Sequence, residues 1–405
     1  MLSKVEFTAA RDLLLERVSP VPAERISISA CAGRVLAERI EAVTDVPPFD
    51  RSPFDGYAFR AADTAGASAA QPVTLRVLEE LAAGQAPTQT VTPGTAVRLM
   101  TGAPIPPGAD AVTMYEKTVF TAQTVTIPFQ AKPGENIVLR GEDVQQGQVL
   151  AEPGAVLDGP LAGSISSQGV RAPLVYRRPR AGVITTGSEL VEAGQAPGPG
   201  QIVNSNRYTF EAELAQDGLQ VRFFGSPADC LEEIAAAMEA ALADSDLAVV
   251  TGGVSAGDYD LTPAALEAIG AELLVKDVQL KPGGKCCYAV RDGKLLCCLS
   301  GNPASSLTNF EAVALPAVRK LCGLTEPLLP EIPVTLAMPF RKKSPRPRLL
   351  RGRLQLTHGR AEMTIAGEQG NSVLHTMIGC DLLALVPAGS GPLSAGTQLQ
   401  AFRIR

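Results

Sequence analysis

Histidine is scarce in this chain of 405 residues, which contains only His358 and His375. Two histidines argue against a multi-histidine metal site and against a catalytic triad that depends on histidine. Acid–base or metal chemistry must therefore rest on carboxylates, lysines and hydroxyl groups. Those three kinds of side chain are the candidates for a functional site.

Long hydrophobic segments are also missing. No apolar run approaches the roughly 20 residues that a membrane-spanning helix needs. The first residues, Met1-Leu-Ser-Lys-Val-Glu-Phe7, include an acid and lack the apolar centre of a signal peptide. We therefore expect a cytoplasmic protein with no membrane partner.

The eight cysteines lack the spacing of a metal site, because no pair has the separation found in zinc fingers. A chain of this length does not need a disulfide scaffold. Cys286, Cys287, Cys297 and Cys298 form two adjacent pairs, and neighbours on a strand face opposite sides. We interpret them as buried, reduced thiols.

The composition is that of a globular protein, with 45% hydrophobic and 19% charged residues, and the length predicts about two to four domains. The net charge of −6 is uneven, since residues 327–405 hold ten Lys and Arg against four Asp and Glu. The basic cluster Arg341–Arg348 could contact an anionic ligand or nucleic acid. A solvated loop is the better interpretation, because no aromatic residues interleave it, and we expect no nucleic-acid partner.

The texture of the sequence changes along the chain. Helical spacing at 5–18 is followed by short β-rich runs between Pro/Gly turns from 46 to 136, which predict a small all-β unit. Residues 137–172 are mixed, and residues after 327 are again rich in strands and turns. Between these regions strands and helices alternate, which predicts a doubly wound, largely parallel sheet. The predicted strands lie at 182–186, 219–224, 247–251 and 272–275. The predicted helices lie at 229–243 and 303–323, and Pro316 should kink the second one. A predicted hairpin turn at 291–294 interrupts the alternation, so we expect a mixed sheet.

A glycine-rich loop follows the buried strand at 247–251. It contains Gly252, Gly253 and Ser255, then Asp258 and Asp260, and Thr262-Pro263 predicts a capped helix start after it. Backbone N–H groups at such a turn bind anions, and paired carboxylates suit a magnesium ion that also contacts phosphate oxygens. The loop predicts a site for a phosphorylated ligand with a metal.

Two further polar loops, at 185–190 and 299–303, end other strands of the same predicted sheet. Ligands bind at the carboxyl ends of strands in such sheets, so the three loops should meet in one crevice. Together with other motifs they closely resemble the molybdopterin molybdenumtransferases, the molybdenum insertase family of MoeA and the gephyrin E domain. The motifs, over essentially the whole chain, are Ser52 with Asp55-Gly-Tyr-Ala58, Thr101-Gly-Ala-Pro-Ile-Pro-Pro-Gly-Ala-Asp110, Gly141-Glu-Asp143, Thr186-Gly-Ser-Glu-Leu190, Asn204-Ser-Asn206, Gly252-Gly-Val-Ser255 with Asp260, Lys281-Pro-Gly283 and Gly301-Asn-Pro303.

The resemblance implies that molybdate is inserted into adenylylated molybdopterin, with release of AMP and the molybdenum cofactor, and that Mg²⁺ takes part. It implies an elongated homodimer that meets a molybdopterin adenylyltransferase and recipient molybdoenzymes transiently. The active cleft would lie between the α/β domain of one subunit and the small β domain of the other. The implied domains are a discontinuous N-terminal linker domain (1–45 and 137–172), an inserted small β domain (46–136), a molybdopterin-binding α/β domain (173–326) and a C-terminal, barrel-like β domain (327–405).

The resemblance also assigns site residues. The catalytic candidates are Asp55, Thr101, Asp143, Glu189, Asp260 and Lys281, and the metal candidates are Asp258, Asp260 and Glu189. The substrate-binding candidates are Thr186, Gly187, Ser188, Ser205, Gly252, Gly253, Ser255, Gly301, Asn302, Arg351 and Ser372. Simpler roles stay open for the acids: Asp55 could form a turn, Asp143 could fix a loop, and Glu189 and Asp260 could cap helices.

Three departures from the family pattern concern the substrate loops. The second lysine of the Lys-Pro-Gly-Lys motif is shifted to Lys285, Ser300 replaces a proline, and Val138 replaces an arginine. Two alternatives stay open. One is a pterin-adenylylating enzyme, which would use the same α/β domain, and the other is a scaffold protein with weakened chemistry.

Overall fold

The computed structural model describes residues 1–254 and 261–404. The chain forms two compact units. We call Met1–Glu38, Pro153–Asp158 and Ala172–Arg405 the large unit, and Arg39–Glu152 with Gly159–Arg171 the small unit.

The N-terminal segment belongs to the large unit. Strand β1 (Leu2–Glu6) runs parallel to a strand at 275–279, and β2 (Ala23–Arg25) pairs with residues 174–176. Between them helix α1 (Phe7–Arg17) confirms the predicted helix and buries Phe7, Ala10 and Leu14 along one face. Residues 2–17 thus pack with the sheet of the large unit, although the sequence analysis assigned them to the linker domain. The polar strand Leu2–Glu6 gives no apolar alternation by which to recognise it.

The small unit confirms the predicted β-rich texture. The elements of this unit are β3 (Ile40–Glu41), β4 (Gly56–Phe59), β5 (Val73–Leu81), β6 (Thr95–Leu99), β7 (Ala111–Met114), β8 (Val119–Phe120), β9 (Thr124–Ile127), β10 (Val149–Ala151) and α2 (Gly159–Ser167). A six-stranded sheet, in the order β7-β4-β6-β5-β9-β8, carries an apolar cluster on each face. Tyr57 and Phe59 point to one cluster and Ala58 to the other, as strand alternation requires.

The strands of the α/β part of the large unit are β11 (Leu174–Tyr176), β12 (Arg180–Thr185), β13 (Leu190–Val191), β14 (Ile202–Val203), β15 (Gln220–Phe223), β16 (Leu247–Thr251), β17 (Glu272–Gln279), β18 (Cys286–Arg291) and β19 (Lys294–Leu299). Six of them form a seven-stranded mixed sheet with β1, in the order β1-β17-β18-β19-β16-β12-β15, whereas β11 pairs with β2 and β13 pairs with β14. The four strands from β19 to β15 are parallel, and β18 is antiparallel to both neighbours, so the prediction of a mixed doubly wound sheet is confirmed.

The helices of this part are α3 (Ser205–Gln216), α4 (Leu231–Asp244), α5 (Thr262–Ala268), α6 (Pro303–Asn309) and α7 (Leu315–Leu321). Thr262 is the first residue of α5 and does not cap it; its hydroxyl donates to the carbonyl of Gly252 instead. The irregularity expected at Pro316 lies before it, as a π turn at Phe310–Ala314. Pro316 follows this turn near the start of α7, and because proline has no N–H to donate, the helical hydrogen-bond pattern must change there.

The cysteine-rich hairpin is formed by β18 and β19. Asp292 and Gly293 both have positive φ, as a two-residue hairpin turn of this type requires. Cys287 lies opposite Cys298, and all four cysteines of the hairpin are buried and free. Burial raises the pKa of the Cys286 and Cys297 thiols, which confirms the interpretation as inert core residues.

The C-terminal region of the large unit is a closed barrel, as predicted, in the order β20-β22-β21-β23-β24. Its strands are β20 (Glu331–Leu336), β21 (Arg348–Thr357), β22 (Arg360–Ile365), β23 (Leu382–Val386) and β24 (Gln398–Arg403). Phe402 packs edge-on against Phe7, so barrel and α/β sheet share one core. The solvated-loop interpretation of the basic cluster fails at its end, because Arg348 is buried against the ring of Phe340.

Across residues 1–254 and 261–404, the structure has no helix with both the length and the apolar character needed to cross a membrane.

Candidate active site

Three polar loops of the large unit begin side by side. Thr185, at the end of β12, is in register with Thr251 at the end of β16, and Thr251 is in register with Leu299 at the end of β19. Because the strands are parallel neighbours, the loops that follow them leave the same edge of the sheet. The structure thus brings together the loops that the sequence analysis expected to meet, and we call their junction the crevice.

The crevice is built mainly from backbone. The Thr186 N–H donates to the Thr251 carbonyl, and the Gly252 N–H donates to the Leu299 carbonyl. A Cβ on Gly252, whose φ is +106°, would lie 2.6 Å from the Thr186 carbonyl oxygen, and one on Gly301 would touch the Gly252 Cα at 3.7 Å. Only glycine permits the first approach, and the loops can then present backbone groups to a ligand.

Two asparagines of the Asn204-Ser-Asn206 motif hold the crevice. The Asn204 Oδ1 accepts from the Arg207 N–H at the start of α3, and its Nδ2 donates to the Thr185 hydroxyl. The Asn206 Nδ2 donates to the Gly301 carbonyl at 2.8 Å and to the Thr251 hydroxyl at 3.3 Å. Its Oδ1 is buried and has no hydrogen-bond donor among the described residues. The sequence analysis selected the exposed Ser205 from this motif and missed Asn206, although the repeated amide was visible.

The loop after β12 contains both buried and exposed candidates. Thr186 and Gly187 are buried, whereas Ser188 and Glu189 are exposed. The role of helix cap does not apply to Glu189, because the short strand β13 follows it. The remaining candidates of the loop after β16, namely Ser255, Asp258 and Asp260, lie outside the described residues. Within the described parts of the chain, no three His, Cys, Asp or Glu side chains cluster closely enough to hold a metal.

A pocket of about 760 Å³ shares the loop at 300–305 with the crevice, through Ser300 and Asn302. We call it the lysine pocket. Its charged lining consists of four cations and one acid, namely Lys4, Lys281, Lys285, Arg346 and Asp277. Asp277 pairs with Lys285 at 2.8 Å, whereas Lys4, Lys281 and Arg346 have no ion pair among the described residues. The pocket therefore offers excess positive charge to an anion.

The turn after Lys281 is held tightly. The Gly283 N–H donates to the Ser305 hydroxyl, and the Asn309 side-chain amide donates to the Gly283 carbonyl. A Cβ on Gly284 would lie 2.8 Å from the Leu280 carbonyl oxygen, so a lysine at that position would require a different turn. The shift of the family's second lysine to Lys285 is therefore accommodated by the shape of this turn.

Arg351 and Ser372, both substrate-binding candidates, do not line the lysine pocket. Arg351 is completely buried, and its contact with a ligand stays a prediction. Ser372 is exposed, but its neighbour Asn371 lines the pocket instead. Asn371, Ser305 and Arg346 were missed because the barrel and the start of α6 meet the Lys281 loop only through tertiary contacts.

In the small unit, Asp55 and Thr101 are directly joined. The Asp55 Oδ1 accepts from the Thr101 N–H at 2.6 Å and from its hydroxyl at 2.8 Å. These two hydrogen bonds, first the backbone one, lower the pKa of Asp55, and so favour the charged carboxylate. The sequence analysis named both residues as catalytic candidates without predicting that they are joined, and their catalytic roles stay predictions.

Asp143 lies on a neighbouring segment of the small unit. Its side chain is exposed and its N–H donates to the Val46 carbonyl. Arg51 connects the regions, since it bridges to Pro104 near the Thr101 turn and to Val138 near Asp143. The loop-fixing and catalytic roles of Asp143 both stay open.

Comparison with known proteins identifies the family. Three family models match: MoeA N-terminal region (domain I and II) at residues 5–169, probable molybdopterin binding domain at 182–320, and MoeA C-terminal region (domain IV) at 333–402. The molybdopterin molybdenumtransferase of Staphylococcus aureus strain Mu50 is 34% identical over 383 residues, covering 95% of this chain and 91% of the relative. The chain belongs to the MoeA family. The resemblance of the motifs is thereby confirmed, and so is a role in molybdenum cofactor biosynthesis.

Other members of the family are similar to this chain along most of its length. The molybdopterin molybdenumtransferase of Staphylococcus epidermidis strain RP62A is 36% identical, covering 92% of this chain and 88% of the relative. The crystal structure of the molybdopterin biosynthesis MoeA protein from Pyrococcus horikoshii is 29% identical, with a TM-score of 0.85 and 99% of each chain covered. The MoeA architecture, with an α/β core and β-rich regions on both sides of it in sequence, is therefore that of this chain.

Proposed function

We propose that this protein inserts molybdate into adenylylated molybdopterin and releases AMP and the molybdenum cofactor. The observation that carries the proposal is the lysine pocket, a cationic cavity that shares its 300–305 loop with the glycine-built crevice. The reaction joins two substrates, a phosphorylated pterin and an oxyanion, and therefore needs two adjoining subsites of this kind.

The crevice would hold the adenylylated pterin. Its backbone N–H groups suit phosphate oxygens. The buried Asn206 Oδ1, which has no donor among the described residues, would accept a hydrogen bond from a ring or exocyclic N–H of the pterin. An acceptor left unpaired in the interior costs about 1–3 kcal/mol, so a ligand donor there is favourable.

The lysine pocket would hold molybdate, a tetrahedral dianion. Lys281 and Arg346 contribute positive charge that no acid neutralises among the described residues, and Ser305 and Asn371 add polar groups to the wall. Charge-assisted hydrogen bonds to such an oxyanion are stronger than neutral ones. Tungstate has the same shape and charge, so the pocket would accept it too.

Magnesium would be held at the edge of the crevice. Mg²⁺ prefers one or two carboxylates together with substrate phosphates, and the exposed Glu189 supplies one carboxylate beside Gly187. Asp258 and Asp260, outside the described residues, are the proposed further ligands. When bound, the metal would neutralise charge at the phosphorus during adenylate cleavage.

A second copy of the chain would complete the site. We infer from the family resemblance that Asp55, Thr101 and Asp143 of one subunit act on substrate in the crevice of the other. The protein would work as a cytoplasmic homodimer that receives its substrate from an adenylyltransferase and passes the cofactor to molybdoenzymes.

The test uses the purified protein with adenylylated molybdopterin, molybdate and Mg²⁺, and measures AMP release and reconstitution of an apo-molybdoenzyme. Activity should require molybdate and fall when magnesium is chelated. Lys281→Ala should raise the molybdate concentration for half-maximal AMP release by about tenfold or more, because it removes a charge-assisted contact. Lys276→Ala, an exposed lysine on β17 that does not line the pocket, is the matched control.

Two results would contradict the proposal. Efficient adenylylation of molybdopterin from ATP, without a helper enzyme, would show an adenylylating activity. Binding of the adenylylated pterin with no AMP release under any condition would show a scaffold.

A further inference from the structure

A second cavity of the large unit, with a volume of about 160 Å³, is lined by Arg34, Arg177, Arg178 and Arg319. We call it the arginine pocket. Its lining residue Pro179 directly precedes β12, at the amino ends of the parallel strands. The crevice loops leave the opposite, carboxyl edge of the same sheet. The arginine pocket is therefore separate from the candidate active site.

Part of the wall of the arginine pocket is apolar and firmly held. Val35 and Val318 are buried, and Val35 forms an isolated β-bridge with the exposed Val156. The ring of Tyr176 lies so close to the turn after α7 that a Cβ on Gly323 would overlap it. An engineered apolar cavity of similar size, about 150 Å³, binds benzene. The arginine pocket thus has room for a ligand built on one six-membered ring.

Two of the four arginines are neutralised by acids that do not line the pocket. Arg177 donates two hydrogen bonds to the carboxylate of Asp246, at 2.6 and 2.7 Å. Arg34 donates to the carboxylate of Glu24 at 2.5 Å. Arg178 is exposed and has no ion pair among the described residues. Its charge is therefore available to a ligand.

The fourth arginine, Arg319, shares the pocket with the acid Asp217. Its Nη1 donates to the Leu328 carbonyl at 2.9 Å. Desolvation lowers the pKa of the Arg319 guanidinium, and the charge of Asp217 opposes that shift. The cations Arg178 and Arg319 against the anion Asp217 leave one positive charge in excess. A monoanion would balance this charge, whereas a dianion would exceed it.

We propose that the arginine pocket binds a small monocarboxylate with a compact apolar body, about the size of benzoate. The apolar body contacts Val35 and Val318, and the carboxylate accepts hydrogen bonds from Arg178 and Arg319. Guanidinium and carboxylate groups are both planar, and the hydrogen bonds between them are charge-assisted. The inference does not depend on the proposed function, because the substrate subsites lie at the other edge of the sheet.

Titration calorimetry of the full-length protein with benzoate tests the proposal. Benzoate should bind, and benzamide should bind at least about tenfold more weakly, because it has nearly the same shape but no charge. Sulfate should fail to displace benzoate, because it is a dianion without an apolar body. Lys281→Ala should leave benzoate affinity unchanged, since Lys281 lines the lysine pocket and not the arginine pocket.

Two arginine variants test the charged part of the pocket. Arg319→Met should weaken benzoate binding about tenfold and Arg178→Met about threefold, because solvent screens the exposed Arg178 more than the partly buried Arg319. Arg178→Met should fold even if Arg319→Met does not, since its side chain is exposed. Arg180→Met is the matched control, because Arg180 is exposed, lies two residues further along the chain and does not line the pocket.

Val156→Trp tests the cavity without changing any charge. Val156 is exposed, so the larger side chain should occupy the opening of the pocket without disturbing the core. Benzoate affinity should fall by about tenfold or more at unchanged thermal stability. Val43→Trp is the matched control, because Val43 is also exposed and does not line the pocket.

Four results would overturn the proposal. They are the absence of benzoate binding, equal affinities for benzoate and benzamide, displacement of benzoate by sulfate, and wild-type affinity in both Arg178→Met and Val156→Trp. Loss of benzoate binding in Lys281→Ala would also overturn it, because benzoate would then occupy the lysine pocket. None of these measurements uses adenylylated molybdopterin or AMP release, so each outcome leaves the test of the proposed function independent.

Discussion

The crevice and the lysine pocket lie side by side, but backbone atoms form the first and side chains form the second. In the crevice, the backbones of neighbouring loops come into contact, and this contact is possible because residues such as Gly252 have no Cβ. In the pocket, long cationic side chains such as Lys281 and Arg346 form the wall. The acid Asp277 also lines the pocket and is paired with a further cation, Lys285. The backbone-built subsite should tolerate almost no substitution, whereas the side-chain-built subsite should respond in graded steps.

The largest effect should come from Gly252→Ala. The new Cβ would lie 2.6 Å from the Thr186 carbonyl oxygen at a φ of +106°, so two loops must separate. We expect AMP release to fall at least about a hundredfold, with about 1–3 kcal/mol of lost stability from the backbone strain alone. Steady-state rates and thermal unfolding measure the two effects.

Gly194→Ala is the control for that strain. Gly194 also has positive φ, at +94°, but its Cβ would meet no atom within 4 Å. It should lose stability with little loss of activity. Equal losses of activity in both variants would mean that strain, and not the contact between loops, explains the first result.

A second effect concerns Asp55, whose carboxylate is held by the backbone and hydroxyl of Thr101. Asp55→Ala should abolish AMP release, by about a hundredfold or more, because the charge is lost from the site. Size-exclusion chromatography should show the same oligomer as wild type. Asp55→Asn keeps an oxygen that can accept both Thr101 bonds, and should be as inactive but more stable than Asp55→Ala. An active Asp55→Asn would leave Asp55 with the turn-fixing role only.

The smallest effect should come from Asp277→Asn, which releases Lys285 into the pocket. Lys285 is exposed although Asp277 is buried, so solvent weakens their ion pair, and we expect molybdate affinity to rise only about threefold, with a smaller gain at high salt. Titration calorimetry at two ionic strengths measures it. Asp292→Asn is the control, because Asp292 shares the positive φ of Asp277 but lies in the hairpin turn. A weaker affinity in Asp277→Asn would mean that the acid orders the pocket.

Sequence patterns were sufficient for the parts of the fold that repeat locally. Leu247–Thr251 is a continuous apolar strand before a glycine loop, and its position in a parallel sheet places its loop beside those of β12 and β19. Family resemblance selected Asp55 and Thr101 separately, and the hydrogen bonds that join them were not predicted. Arg351 shows the limit, because the match to a charged position of the family did not predict its burial, which depends on how strands and loop pack.

Residues brought together only by tertiary packing could not be predicted from local patterns. Asn371 reaches the lysine pocket from the barrel, and Asn206 reaches the crevice from the first turn of α3. Thr262 was assigned to a helix cap because its side chain suits that role, but the nearby Gly252 carbonyl competes for the same hydroxyl. In each case a tertiary contact, and not the local sequence pattern, decides which hydrogen bond the polar side chain makes.

The pairing of β1 with β17 affects the order in which parts of the sheet can form during synthesis. Strand β1 is separated from its partner β17 by about 270 residues, since Leu2 pairs with Val275. At about 5–20 residues per second, the ribosome needs roughly 15–55 s between the two strands. Over that interval β1 has no partner, although it carries Lys4 of the lysine pocket. Strand β1 is thus synthesised well before the strand beside which it pairs, and the pocket cannot be complete until β17 has emerged.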